Sequence, residues 1–192
     1  AAQPTRRHFL IGTAAATAGL TIGYRLAVSS AEAQTATAPQ AVNPFQAYVE
    51  ITPDNKIIIH SSQFEMGQGS YFGIATLVME ELDGDWKQVD VIGAWGPTAL
   101  YGNLAMGGAF QITGGSTSMT SSWERYRKAS ATARAMLVSA AAKQWNVPES
   151  EIKVAGGTLT NASGRTVTFG DLAAAAAALP IPANVPLKPR ER

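Results

Sequence analysis

Two glycine-rich loops, each followed by a helical pattern, constrain the fold of this chain more than any other feature. The first is Glu65-Met66-Gly67-Gln68-Gly69-Ser70, and the second is Thr113-Gly114-Gly115-Ser116-Thr117-Ser118. Backbone N–H groups at a helix N-terminus, beside small polar side chains, can hold an anionic ligand without any side-chain charge. Two such loops predict a site for a large cofactor that carries a phosphate and a polar heterocycle.

The first residues have the pattern of a twin-arginine export signal. Arg6-Arg7 precede an apolar stretch from Phe9 to Val28, and Ala31-Glu32-Ala33 fits the small-x-small cleavage pattern. We therefore predict a signal over residues 1–33 and a flexible spacer over residues 34–43. This route exports proteins that are already folded, so it predicts a periplasmic protein with its cofactor inserted beforehand. An uncleaved signal that anchors the protein to the membrane is the alternative.

Charge and composition exclude several classes of function. Without the predicted signal, 12 basic and 13 acidic residues remain, and this near-neutral balance gives no electrostatic case for nucleic acid. The sequence has no cysteine, which excludes disulfides, iron–sulfur ligation and cysteine–zinc sites within the chain. His8 lies in the signal, so a histidine metal site or a catalytic triad would depend on His60 alone. A structural histidine is the simpler interpretation of His60.

Hydrophobic periodicity predicts an α+β domain over residues 44–179, with short strands packed on two main helices. An extended arm or linker with four prolines follows over residues 180–192. The first half of this domain is predicted to contain a hairpin, a helix, a strand and a long glycine-rich loop: Phe45–Ile51 with Lys56–His60, Ser70–Leu82, the strand after Trp86, and 94–115. The second half is predicted to contain the longest helix, three short strands and a final helix capped by Asp171: Ser116–Trp145, 152–155, 158–160, 166–169, and Leu172–Leu179.

The glycine loops do not match the common nucleotide-binding motifs. Phe72 stands where a dinucleotide fingerprint requires its third glycine, and no Gly-Lys-Ser/Thr of a phosphate loop is present. The carboxylates after the first helix pattern, Glu80, Glu81, Asp83 and Asp85, are interpreted as a solvated helix end. Gln68 is different, because an amide flanked by glycines can donate to and accept from a flat polar ligand. A structural turn with an exposed amide is the alternative for Gln68.

Three segments together resemble the molybdenum hydroxylases of the xanthine dehydrogenase and aldehyde oxidoreductase family. They are Glu65-Met66-Gly67-Gln68-Gly69, then Glu80-Glu81-Leu82-Asp83, then the loop from Thr113 to Ser118. The resemblance is greatest to the N-terminal part of the large subunits of isoquinoline 1-oxidoreductases and membrane-bound aldehyde dehydrogenases, and it implies a molybdopterin-binding domain. It also implies cofactor contacts by Gly67, Gln68, Gly69, Gly114, Gly115, Ser116, Thr117 and Ser118.

The resemblance further implies molybdopterin, in its cytosine dinucleotide form, as the cofactor. No side chain of the protein then ligates the metal, because the dithiolene of the pterin does so. The implied reaction is hydroxylation of an aldehyde or an N-heterocycle. Electrons would leave through [2Fe–2S] clusters in a small subunit and through haem c in a cytochrome subunit.

One departure from the family pattern is large. Family large subunits are several times longer, and the loop with their catalytic glutamate, near the far C-terminus, has no counterpart in this sequence. The chain is therefore expected to be a portion of a large subunit that is inactive alone, and no catalytic residue is assigned to it. The alternative, from another class, is an exported binding or assembly module that keeps the fold without the metal.

Overall fold

Two small sheets and a pair of long helices make up the part of the chain that the computed structural model describes, residues 20–22 and 48–189. The strands are β1 (Leu20–Ile22), β2 (Val49–Ile51), β3 (Ile57–Ser61), β4 (Val89–Gly93), β5 (Lys153–Ala155), β6 (Thr158–Thr160) and β7 (Thr166–Thr168). The α-helices are α1 (Ser70–Leu82), α2 (Thr98–Tyr101), α3 (Ser118–Trp145) and α4 (Phe169–Ala177). Three single 3-10 turns cover Trp86–Gln88, Leu104–Met106 and Glu149–Glu151. The α+β prediction is confirmed.

The first sheet has the strand order β1-β2-β3-β4. β2 and β3 form the predicted hairpin, since Val49 pairs with Ile59 and Ile51 with Ile57. Inward-facing residues alternate along β3, where Ile57 and Ile59 are fully buried. β4 pairs with β3 in parallel, and a parallel pair needs a crossover connection. α1 provides that crossover, so the first glycine loop lies between the end of β3 and the start of α1.

The long helix α3 packs along α1, and α4 packs on α3. One apolar core joins these helices to the first sheet, with Tyr48, Ile74, Tyr126, Leu137 and Leu172 all fully buried. The second sheet is an antiparallel meander in the order β5-β6-β7. Because α1 and α3 both begin at a glycine loop, their packing places the two loops on a common framework.

The helix boundaries differ from two of the predictions. α3 begins at Ser118 and not at Ser116, because Ser116 has a left-handed φ of 56° that no helix continues. α4 begins at Phe169, and its N-cap is Thr168 and not Asp171. Asp171 is the third residue of a capping box, in which its carboxylate accepts from the Thr168 hydroxyl at 2.6 Å.

The predicted signal, spacer and arm are only partly within the described residues. Leu20–Ile22, which the sequence analysis assigned to the signal, form β1 and pair antiparallel with β2 along its outer edge. The rest of the signal and the whole spacer over residues 34–43 lie outside the described residues and stay predictions. The arm has neither helix nor strand over residues 180–189. Among the described helices, none combines the length and apolar character needed to cross a bilayer.

Candidate functional site

The carboxylate of Glu65 organises the first glycine loop. It accepts the backbone N–H groups of Gly67 at 2.7 Å, Gly69 at 3.0 Å and Tyr71 at 3.0 Å. The Ser70 hydroxyl donates a longer bond of 3.4 Å. These backbone donors, with Tyr71 the strongest, lower the pKa of Glu65 from an ordinary 4.5 to about 2. Glu65 therefore stabilises the turn into α1 as an anion.

The side-chain amide of Gln68 is also used within this loop. Its Oε1 accepts the N–H of Met66 at 2.6 Å, and its Nε2 donates to the carbonyl of Phe64 at 2.6 Å and to Ser70 Oγ at 3.1 Å. Both hydrogens of the amide are thus taken, which leaves one lone pair of Oε1 for a ligand. The predicted cofactor contact of Gln68 stays a prediction, and the structure adds a second role in holding the loop.

Both loops have an open side. Gly67 and Gly69 have left-handed φ angles of 94° and 81°, a conformation that glycine adopts at no steric cost. A Cβ added at Gly67, Gly69 or Gly114 would meet no atom within 4 Å. Backbone at these three positions can therefore come close to a ligand that lies over the loops.

The second glycine loop is held by a residue that the sequence analysis did not identify. Asn103, which is fully buried, donates from Nδ2 to Thr117 Oγ1 at 2.8 Å and to the carbonyl of Ile112 at 3.1 Å. The Thr117 hydroxyl in turn donates to the carbonyl of Gly114 at 2.7 Å. Asn103 directly follows Gly102 in the long loop, and only its polarity next to the apolar Leu104 and Ala105 would have singled it out. The strained φ of Ser116 is kept by this network.

The structure brings the two predicted loops side by side. The N–H of Phe64 donates to Thr113 Oγ1 at 2.8 Å, and Ser118 Oγ donates to Gln63 Oε1 at 3.1 Å. Gln111 connects the surrounding segments, because its Nε2 donates to the carbonyls of Ser62 at 3.0 Å and Ala94 at 2.6 Å. All eight predicted site residues therefore belong to one pair of adjoining loops, although Phe64 and Thr113 are 49 positions apart in the sequence.

Large apolar side chains are exposed in the same segments. Trp95 is 78% exposed and Met66 is 71% exposed. Phe64, Met106, Phe110 and Ile112 are also exposed. So many exposed apolar side chains in the loop segments are typical of a surface that another protein part or a flat ligand covers.

Two of the four carboxylates at the end of α1, Glu81 and Asp83, form ion pairs with other segments. The prediction of a solvated face was wrong for these two. Glu81 is only 1% exposed, and its Oε1 lies 2.6 Å from Arg127 of α3. Asp83 pairs with Arg134 at 3.0 Å and with Lys188 of the arm at 2.5 Å. These five residues, called here the ion joint, fasten α1, α3 and the arm together. Their partners are distant in sequence, so helix position alone could not reveal the burial.

The contacts of His60 are typical of a structural histidine. Its Nε2 lies 3.2 Å from the carboxylate of Glu50 on the neighbouring strand β2. Within residues 20–22 and 48–189, no group of three or more His, Cys, Asp or Glu side chains is placed to hold a metal ion.

A cavity away from the loops does not touch either glycine loop. It measures about 790 Å³ and lies between the C-terminal half of α3 and the arm, lined by residues from Ala135 to Glu149 and from Leu179 to Pro186. A cavity of about 520 Å³ lies beside the second loop, lined by Leu104, Met119 and Trp123 among others. The candidate site comprises the glycine loops, because neither cavity is lined by the residues that bring the two loops together.

The depressed pKa of Glu65 predicts an acid-sensitive loop. Because the folded-state pKa is about 2, below the ordinary 4.5, the carboxylate stabilises the loop above pH 4.5 and loses this effect as the pH falls toward 2. We expect wild type to melt at a higher temperature than Glu65→Gln at about pH 6, with a gap that narrows toward about pH 3. Thermal melting of both proteins across this range measures it. A gap that does not change with pH would show that the charge of Glu65 has no such role.

Comparison with known proteins identifies the family of this chain. The sequence model of the molybdopterin cofactor-binding domain family matches residues 6–191. Isoquinoline 1-oxidoreductase subunit beta of Brevundimonas diminuta is 32% identical over 171 residues, which is 88% of this chain and 22% of that protein. Membrane-bound aldehyde dehydrogenase [pyrroloquinoline-quinone] of Gluconacetobacter polyoxogenes is 27% identical over 132 residues, which is 66% of this chain and 15% of that protein.

The chain thus spans about a fifth or less of the length of these two relatives. The family match, in contrast, covers nearly the whole chain, including both glycine loops. The predicted fold type and the predicted family are confirmed by this match. The chain belongs to the molybdopterin cofactor-binding domain family of the molybdenum hydroxylases.

Proposed function

We propose that this chain forms the molybdopterin-binding portion of a periplasmic oxidoreductase that hydroxylates an aldehyde or an N-heterocycle. Family membership supports the cofactor class. The names of the two relatives, an isoquinoline oxidoreductase and an aldehyde dehydrogenase, support the two substrate classes. The twin-arginine pattern supports export, and an uncleaved signal or a partner would supply any attachment to the membrane. The observation that carries the proposal is the joining of the two glycine loops into one site.

The residues of this site fit a bulky, hydrogen-bonding cofactor. Gly67, Gly69 and Gly114 leave open space where side chains would otherwise stand. Gln63, directly before the first loop, is fully buried, and its Oε1 accepts from Ser118 at the start of α3. The N–H groups of Gly67 and Gly69 already bind Glu65, so the loops offer a ligand the Oε1 of Gln68, hydroxyls and the backbone of the second loop, with no basic side chain.

Each loop has a separate task in this proposal. Gly67, Gln68 and Gly69 lie against the cofactor near its metal, and Glu65 keeps the N–H groups of Gly67 and Gly69 in place. Gly114 to Ser118 lie against the pterin, with Asn103 and Thr117 fixing the turn. When bound, molybdopterin supplies the redox centre at which substrate is oxidised. The cytosine dinucleotide form of the pterin is part of the proposal.

The remaining parts of the reaction belong to other segments or subunits. Glu65 is not proposed as the base, because its oxygens already accept hydrogen bonds from three backbone N–H groups. We assign the base to the rest of a large subunit. An iron–sulfur subunit with [2Fe–2S] clusters and a cytochrome c subunit would accept the electrons. The exposed apolar side chains of the loop segments suit contact with such neighbours.

Replacing Gln68 with alanine tests the proposal. The change removes three hydrogen bonds inside the loop and the Oε1 that faces a ligand. We expect a several-fold loss of turnover and of molybdenum per folded molecule in the assembled protein. The melting temperature should fall by only a few degrees, since Gln68 is exposed. Metal analysis, rate and melting are measured on the same preparation.

Gln144→Ala is the matched control for this experiment. Gln144 is an exposed glutamine near the C-terminal end of α3, far along the chain from both loops. It should keep the molybdenum content and rate of wild type. If Gln68→Ala also keeps both, Gln68 is only a turn residue and the assignment of the first loop is wrong.

A further inference from the structure

Three buried polar atoms lack a hydrogen-bond partner among the described residues. They are Ser62 Oγ, Gln63 Nε2 and Ser122 Oγ. All three residues have no exposed surface. Buried polar groups in proteins are nearly always paired, so each such atom requires an explanation.

The three atoms lie at one contact between two segments. Ser118, Ser122 and Tyr126 are spaced four residues apart and share one face of α3. Ser118 Oγ donates to Gln63 Oε1 at 3.1 Å, and the Tyr126 hydroxyl accepts the N–H of Ser62 at 2.6 Å. Ser122 stands between these two contacts. Its hydroxyl therefore faces the stretch of chain that carries the Ser62 hydroxyl and the Gln63 amide.

Other hydroxyls on the same helix do have partners. Ser130 is also fully buried, and its Oγ donates to the carbonyl of Tyr126 at 2.7 Å, one turn back. Ser121 Oγ accepts the N–H of Leu104 at 2.9 Å. Ser122 does not use the carbonyl one turn back, although this is the usual partner of a helical serine. The Ser122 hydroxyl therefore lacks a partner because of its position, since the Ser121 and Ser130 hydroxyls of the same helix have one.

We propose that Ser62, Gln63 and Ser122 bind one buried water molecule between β3 and α3. The Gln63 amide donates to the water, and the water donates to the two serine hydroxyls. Three bonds are the usual number for a buried protein water. The three residues are completely buried, so any ligand that their polar atoms bind has to be small.

This hydration site lies directly beneath the junction of the glycine loops. Gln63 belongs to both the hydration site and the loop junction, since its Oε1 accepts from Ser118 at the start of α3 while its Nε2 faces the water. The water therefore braces the hydrogen bond that connects the two loops. The inference depends only on burial and hydrogen bonding, so it stands or fails separately from the proposed cofactor.

A double-mutant cycle on the full-length protein, with any partner with which it is purified, tests this site. We expect Ser62→Ala and Ser122→Ala each to lower the melting temperature by about 2–4 °C, because each removes one bond to the water. The double variant should lose clearly less than the sum, because the second change acts on a water that is already weakly held. Ser62→Ala combined with Ser130→Ala is the control pair and should be additive, since Ser130 has its own partner.

A crystal structure of the wild-type protein completes the test. A water within hydrogen-bond distance of Gln63 Nε2 and the two hydroxyls, together with the non-additive cycle, is the expected result. Additive losses in the Ser62 and Ser122 cycle would overturn the proposal. A direct hydrogen bond between the two serines, or a dry contact, would overturn it as well.

Discussion

Arg127→Met is expected to lower the free energy of unfolding by about 3–5 kcal/mol, because it leaves the buried carboxylate of Glu81 without its cation. Arg127 Nε donates to Glu81 Oε1 at 2.7 Å, and its Nη2 donates to the carbonyl of Lys188 at 2.7 Å. Glu81 has 1% of its surface exposed, so water cannot replace the lost partner. Urea denaturation of the purified protein measures the change.

Two further variants distinguish the loss of a buried ion pair in the ion joint from the loss of a surface charge. Lys128→Met removes a neighbouring cation whose partner Glu124 is on the surface, so a much smaller loss is expected. Adding Glu81→Leu to Arg127→Met should recover much of the stability, because no buried charge then remains unpaired. An Arg127→Met protein as stable as Lys128→Met would show that the ion joint does not hold the helices together.

Gly115→Val is expected to have the largest effect on cofactor content. Gly115 has a left-handed φ of 60°, and an added Cβ would stand 3.1 Å from Met106 Cε. A branched residue in this conformation costs about 1–3 kcal/mol, which lowers stability without unfolding a stable complex. Its side chain would also project from the loop on which the pterin is proposed to lie. We expect strongly reduced molybdenum per folded molecule.

Gly156→Val is the matched control for the backbone strain of a valine at a left-handed φ. Gly156 has a nearly equal φ of 56° and open space around it, in the turn between β5 and β6. It should lower the melting temperature by a similar or smaller amount and leave the molybdenum content unchanged. Normal molybdenum occupancy and rate in Gly115→Val, with only a lower melting temperature, would contradict the pterin-site assignment.

The sequence was sufficient to predict those helices, strands and loops that local patterns determine. The apolar stripe of Ile74, Leu77, Val78 and Leu82 predicted α1 with the bounds that the structure has. The turn signal at residues 53–55 predicted the hairpin of β2 and β3. Small residues before each helix pattern also identified both glycine loops. These features depend on neighbours in the chain, which a single sequence displays directly.

Features that depend on distant partners were not predictable in this way. Glu81 was interpreted as solvated, because Arg127 and Lys188 lie 46 and 107 residues away. Asn103 and Gln63 support the loops through contacts with Thr117 and Ser118, and neither residue is part of a local motif. The role of Gln68 inside its own loop was also missed, because glycine flanks suggested only an amide that faces outward. Tertiary packing decided each of these cases.

Molybdopterin binding by the two joined loops is the proposal on which the predicted function depends. Its most direct test is the molybdenum and pterin content of the purified wild-type protein that contains this chain, beside Gly115→Val and Gly156→Val. We expect molybdenum and pterin equimolar with the chain in wild type and Gly156→Val, and a large loss of both in Gly115→Val. Wild-type protein that is folded with its partners and contains neither molybdenum nor pterin would show that the loops do not hold this cofactor.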